Sequence, residues 1–282
     1  MSPSRTEAWL SRALWLMASS AVALLVLIFL FLLSESRLAL VDGHWLRFFT
    51  SAGWFPSDGQ FNLWPMLLAT LLATSGALLL ALPMGLASAL FVGFFAPAGL
   101  ATLFRRLLML LAGIPSVVYG LWGLTVLVPL ITSVAPPGAS LLAAILILAL
   151  MILPTVALTS EAALRVVPVS YWRGGQALGL SAQTILLRVA IPAARRGILA
   201  GALLAATRAV GETMAELMVA GNVVQVPGSL FDSVRVLTAN IALEMAYATG
   251  GHRAGLYVSS LLLTLVVVAI VCLGRRVEAH HE

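Results

Sequence analysis

The chain has 282 residues, of which 61% are hydrophobic and only 10% charged, with a mean hydropathy of +1.05 and a net charge of +5. Ordinary soluble domains do not reach these values, so it reads as an integral membrane protein whose basic balance reflects topology and not nucleic-acid binding. All 16 basic residues are arginine, and a chain without lysine cannot form the phosphate-binding G-x-x-x-x-G-K-[ST] loop, which excludes the standard ATP site.

A bilayer core of ~30 Å takes about 20 apolar residues as a helix. Runs of that kind predict an all-α polytopic protein with six spans. The first covers about 13–33; its core is longer than that of a signal peptide and "SESRLAL" after it is a poor cleavage site, so it reads as a retained anchor. The second, about 64–94, is overlong, and Pro83 with Gly85 is the expected place for a bend. Leu107 to Ser160 carries no charge and holds two spans joined by a turn at "VAPPGAS", 134–140. The fifth and sixth fall at about 197–221 and 255–273. Eleven arginines flank one side, at 5, 12, 105, 106, 165, 173, 188, 195, 196, 275 and 276, against four on the other, at 37, 47, 235 and 253. That bias predicts a plasma or inner-membrane protein with both termini cytoplasmic. The chain divides into an anchor helix and first outer loop (1–63), a transmembrane domain (64–273) and a cytoplasmic tail (274–282).

Two segments outside the spans are long enough to carry function. In the cytoplasmic stretch 160–196, Pro168 should stop the incoming helix and Ser181 cap "AQTILLRVA" before Pro192. Short surface helices result, with Leu178, Leu180, Ile185, Leu186 and Val189 as exposed apolar area for a partner or the membrane. In the outer stretch 222–254, Val234, Leu237, Ile241 and Met245 recur at helical spacing, with Arg235, Asn240 and Glu244 elsewhere on the wheel. That is a helix lying in the interface or a packing helix.

Catalytic and metal chemistry find no groups. His44, His252, His280 and His281 lie in loops or the tail, no H-E-x-x-H occurs, and no aspartate falls within a span. The terminal "HHE" reads as a solvated tail and Cys272 as a small apolar filler. No catalytic residue, resident metal or cofactor is therefore expected.

The exception to this apolar pattern is "AATRAVGETMAELMVAGN", 205–222. Arg208, Glu212 and Glu216 are spaced i, i+4, i+8, which on one continuous helix is a single stripe, extended by Gly201 and Ala205 and flanked by Thr207 and Gly211. Each charge costs about 2.5–3.5 kcal/mol at mid-bilayer on insertion scales, so the stripe should face a polar path or a partner chain. Arg208 and Glu212 could instead neutralise one another and lock two helices, but that leaves Glu216 over. In a polar path Arg208 suits a tetrahedral oxyanion, with Glu212 holding it and weakening its grip.

"RAVGETMAELMVAGN" resembles the fifth-span motif of the membrane permeases of phosphate-specific ABC importers, and "GIPSVVYGLWGL", 113–124, and "LFDSVRVLTANIALEM", 230–245, are similar to that family too. The Gly-Asn ending and the outer segment look like its C-type subunit. The resemblance implies the type I ABC importer permease fold and a substrate path at Arg208, Glu212, Thr213, Glu216 and Asn222. It implies a sister permease, two cytoplasmic ATPase subunits that use ATP and magnesium, and an external phosphate-binding protein, with phosphate as substrate. Tungstate or molybdate and an ion-coupled mechanism are the alternatives. The coupling loop E-A-A-x-x-x-G-x(9)-I-x-L-P registers on Gly179, Val189, Ile191 and Pro192, which sets its Glu-Ala-Ala on Arg173, Gly174 and Gly175. The "EAA" at 161–163 is out of register, the expected glutamate is missing, and Glu216 is a second departure from the pattern.

Overall fold

The computed structural model describes residues 5–40 and 46–279. Helix α1 (Arg5–Leu40) carries an uncharged apolar stretch whose residues are not buried within this chain, as suits a helix with most of its surface in hydrocarbon. It lies along α13 (Gly250–Ala279), with Phe31 edge-on to Tyr257 at 5.7 Å. A short α2 (Arg47–Thr50) then leads into an antiparallel hairpin, β1 (Trp54–Phe55) and β2 (Gln60–Phe61), turned through Gly59 at φ 66°.

Helix α3 (Trp64–Leu90) runs unbroken through Pro83. The departure from α geometry comes later, as a π turn at Phe91–Phe95, and not as the bend expected at Pro83 and Gly85. Its inner face is a ladder of small residues at every fourth position: Ala69, Ala73, Ala77, Ala81, Gly85 and Ala89, all buried. They pack on α7 (Leu141–Arg165), the central helix of the fold and its most deeply buried span. Small residues let two backbones approach where no hydrophobic gain drives helices together in lipid.

Between them the charge-free run after Leu107 does not form a straight span. Helix α4 (Ala98–Gly113) ends at Ile114, extended at ψ 129°, and α5 (Ser116–Trp122) starts after Pro115 at an angle of 93°. The residue before a proline is driven out of the α region, which is why the chain turns here. A π turn at Gly123–Leu127 leads into α6 (Val128–Thr132), and the expected turn at 134–140 precedes α7, whose first turn is capped by Ser140. Among the described residues five helices are long and apolar enough to cross a bilayer, and six crossings result if the bent pair counts as one.

After α7 the chain forms α8 (Val169–Ala177), entered from Pro168, and α9 (Ala182–Ile185), capped by Ser181, whose hydroxyl accepts from Thr184 N at 3.2 Å. Pro192 does not end this helix. A π turn at Leu186–Ala190 carries it into α10 (Ile191–Val210), so the fifth span starts at Ala182 and ends at Val210 instead of covering 197–221. A π turn lengthens the hydrogen-bond step just where Pro192 has no N–H to offer. Helix α11 (Met214–Val219), α12 (Leu237–Glu244) and α13 complete the chain.

Candidate functional site at the break between α10 and α11

Helix α10 packs antiparallel to α7 through glycines. A Cβ on Gly197 would meet Ala163, and one on Gly201 would collide with the Thr159 hydroxyl. Following that register seven residues further brings Arg208 level with Ile152, near the middle of α7, and so to mid-depth of a span. Gly201, Ala205 and Ala209 are buried on this face while Arg208, at its edge, is exposed.

The helix stops at Val210, and Gly211, Glu212 and Thr213 form a break before α11. The three charges therefore do not share one continuous stripe: Arg208 ends α10, Glu212 lies in the break and Glu216 belongs to a separate helix. Nor do Arg208 and Glu212 pair. Arg208 makes no hydrogen bond or ion pair among the described residues, the four ion pairs joining other groups. The Glu212 carboxylate instead accepts from Ala215 N at 3.2 Å, capping α11, while its carbonyl accepts from the Thr238 hydroxyl at 2.6 Å. Thr213 is partly buried, its hydroxyl 3.4 Å from the Gly211 carbonyl.

Glu216 lies inside the fold of this chain. It is 1% exposed, and its Oε2 has no hydrogen-bond partner. Helix α11 packs closely on α5, since a Cβ on Gly120 would lie 2.9 Å from Ala215 Cα. Asn222, at φ 57° just after Gly221 at φ 90°, donates from Nδ2 to Leu217 O at 2.7 Å and thus closes the end of α11.

The loop residues divide likewise. Arg173 and Gly174 are exposed on α8, Gly179 turns the chain at φ 72°, Pro192 is exposed and Val189 and Ile191 are half-buried. Gly175 is buried, because Ile185 packs where its Cβ would be. Ile185 and Leu186, expected as exposed area, are 1% and 4% exposed and pack inside the loop, while Leu178 and Leu180, as expected, and Leu187 are exposed.

Two polar clusters had no sequence signal beyond the presence of charge. Glu161, 5% exposed, takes Arg105 Nε at 3.2 Å, Arg105 Nη2 at 2.6 Å and Arg165 Nη2 at 2.7 Å, tying α4 to the end of α7. At the opposite end, Arg235, just before α12, and Glu244, at its end, form a largely buried network with Trp54, Asn240 and His252. His44, His280 and His281 lie outside the described residues. Among the described residues no three His, Cys, Asp or Glu side chains converge as a metal site.

A bundle of helices of which five, or six with the bent pair, are long and apolar enough to cross a bilayer is the architecture of a polytopic membrane protein. Residues 81–280 match the binding-protein-dependent transport system inner membrane component family, and the chain belongs to it. It is 37% identical over 79% of its length to the probable ABC transporter permease protein YqgH of Bacillus subtilis, covering 74% of that protein. It is 31% identical to phosphate transport system permease proteins PstC of Mesorhizobium japonicum (94% of this chain, 89% of that one) and of Haemophilus influenzae (90% and 89%). The fold is that of type I ABC importer permeases: the inward-facing MetNI methionine ABC transporter superposes with a TM-score of 0.58 at 21% identity, over 76% of this chain and 92% of that one. An amino acid ABC transporter superposes with a TM-score of 0.56 at 18% identity, over the same shares.

Proposed function

We propose that the chain is the C-type permease subunit of an ATP-driven phosphate importer, and that phosphate passes Arg208. What carries this is an exposed, unpaired guanidinium at the middle of a membrane helix bundle, together with relatives whose names include phosphate transport permeases. A guanidinium offers a planar fork of five donors that fits a tetrahedral oxyanion, and here no carboxylate occupies it. The Glu212 carboxylate, held by the α11 amide three residues on, limits how tightly an anion can stay, as a transport site requires.

A family of this kind works with a binding protein. In the proposed assembly a sister permease completes the path, and two ATPases that use ATP and magnesium dock on α8 and α9 around Arg173, Gly174 and Gly179. The external phosphate-binding protein meets the end that carries the hairpin and α12, and both termini are cytoplasmic. Closure of the ATPases moves the coupling loop, and the bundle opens to the other side.

Arg208→Gln should abolish labelled-phosphate uptake in vesicles holding the complete importer, with assembly intact. Uptake at the wild-type rate would end the proposal. Tungstate or molybdate competing better than phosphate would keep the path and change the substrate.

A further inference from the structure

The network at the hairpin end has no part in the path proposed above, yet it is bonded to it. Glu244, the last residue of α12, is 7% exposed and is gripped from three elements. Arg235 Nη1 donates to Oε1 at 2.7 Å, Trp54 Nε1 of the hairpin donates to Oε2 at 2.8 Å, and His252 Nε2 of α13 lies 2.8 Å from the same oxygen. Arg235 also donates from Nε to the Asn222 carbonyl at 2.9 Å and from Nη1 to Asn240 Oδ1 at 3.1 Å.

The other end of the same helix faces the break. Leu237 N donates to the Thr70 hydroxyl of α3 at 3.1 Å, and Thr238 Oγ1 donates to the Glu212 carbonyl at 2.6 Å. Helix α12 has only eight residues, so on its own it would be marginal in any solvent. It is held between two anchors, one in the Glu244 network and one at Glu212, the middle residue of the break. Glu212 has no other tertiary bond holding its backbone: its N–H goes to Ala209 at 3.1 Å, within the preceding turn.

We infer that α12 is a clamp: the Glu244 network fixes it, and Thr238 at its far end positions the backbone at Glu212 and with it the Arg208 site. Thr238 and Glu244 are thus positioning residues for transport that touch no substrate. The inference rests on Arg208 being the transport site.

The test uses the complete importer in vesicles, with KM and maximal rate of phosphate uptake measured separately and ATP hydrolysis and complex yield followed alongside. Thr238→Val keeps the shape and removes the donor, and Thr238→Ser restores the donor without the methyl. One hydrogen bond of this kind corresponds to about two- to tenfold in an equilibrium. Thr238→Val should change KM or maximal rate by about that factor with yield unchanged, and Thr238→Ser should return both to wild type. Glu244→Gln should shift the same parameter. Because both residues act through one helix, Thr238→Val with Glu244→Gln should be no worse than the worse single change.

Wild-type kinetics in Thr238→Val, a Thr238→Ser variant as impaired as Thr238→Val, or effects that multiply in the double variant would each overturn the clamp. If Thr238→Val lowers complex yield, Thr238→Ser and Glu244→Gln decide the matter by the same kinetics. Failure of the site is distinct: it is seen as uptake by Arg208→Gln, whereas loss of uptake there with unaltered Thr238→Val removes the clamp alone.

Discussion

Adding one methyl at Gly85 should weaken the protein, although the same change elsewhere strengthens it. A Cβ there would lie 2.7 Å from Cγ1 and 2.8 Å from Cβ of Val156, and 3.2 Å from the backbone nitrogen of Ala157. Carbon atoms rest about 3.5–4.0 Å apart, so the shortfall is close to 1 Å. Val156 is fully buried and β-branched, with one preferred rotamer in a helix, so it cannot swing aside and α3 must lift off α7. Overpacking of this order costs about 1–3 kcal/mol. The opposing gain from replacing glycine by alanine in a helix is about 1 kcal/mol in water, and less in a bilayer, where the helix is formed before it packs. The clash wins. Gly174, on exposed α8 with no neighbouring atom within 4 Å, supplies the control: only the propensity gain applies, and Gly174→Ala should be neutral or stabilising. The assay is the half-life of the monodisperse complex in detergent at fixed temperature, since membrane proteins unfold irreversibly. With a bilayer gain of about 0.5 kcal/mol set against the clash, the net loss is about 0.5–2.5 kcal/mol, and at 1.4 kcal/mol per factor of ten Gly85→Ala should shorten it about two- to sixtyfold. A half-life equal to or longer than wild type would refute the close-packed ladder.

Glu161→Gln removes the charge that two arginines share and should lower the same half-life about tenfold, while the reverse pair, Arg105→Glu with Glu161→Arg, recovers part of it. Glu216→Leu replaces a buried carboxyl whose Oε2 bonds to nothing and should leave uptake intact while raising stability by about 1–3 kcal/mol, read as a longer half-life; loss of uptake in that variant would return Glu216 to the transport path. Ser181→Ala removes the cap on α9 and should cost about 1 kcal/mol locally, seen as faster amide exchange at Thr184 with unchanged exchange in α7.

Hydropathy alone located the helices at 64–90, 141–165 and 250–274, because in a bilayer an uncharged run of that length has no other stable form. Breaks inside such runs are decided by single residues. Pro115 turns the chain by 93°, whereas Pro83 stays inside a continuous helix and Pro192 follows a π turn that carries the helix on. The stripe at 208, 212 and 216 assumed a helix continuous through Gly211, and the C-terminal glycine was the available warning. The identity of the charged residues was legible, but their partners were not. Glu244 meets Trp54 across 190 positions of sequence, a separation no wheel or spacing rule can reach. Capping, by contrast, is local, and Ser181 and Pro168 act where their chemistry indicates.

The alanine ladder on α3 has a bearing on movement. Methyl groups have no torsion to choose, but the ladder lacks one at Gly85, and Val156 of α7 sits where that methyl would be, just as Ile145 sits over Gly76. Sliding one turn, about 6 Å, would press Val156 onto Ala81 or Ala89. The joint is therefore keyed, and α3 and α7 travel together when the bundle moves.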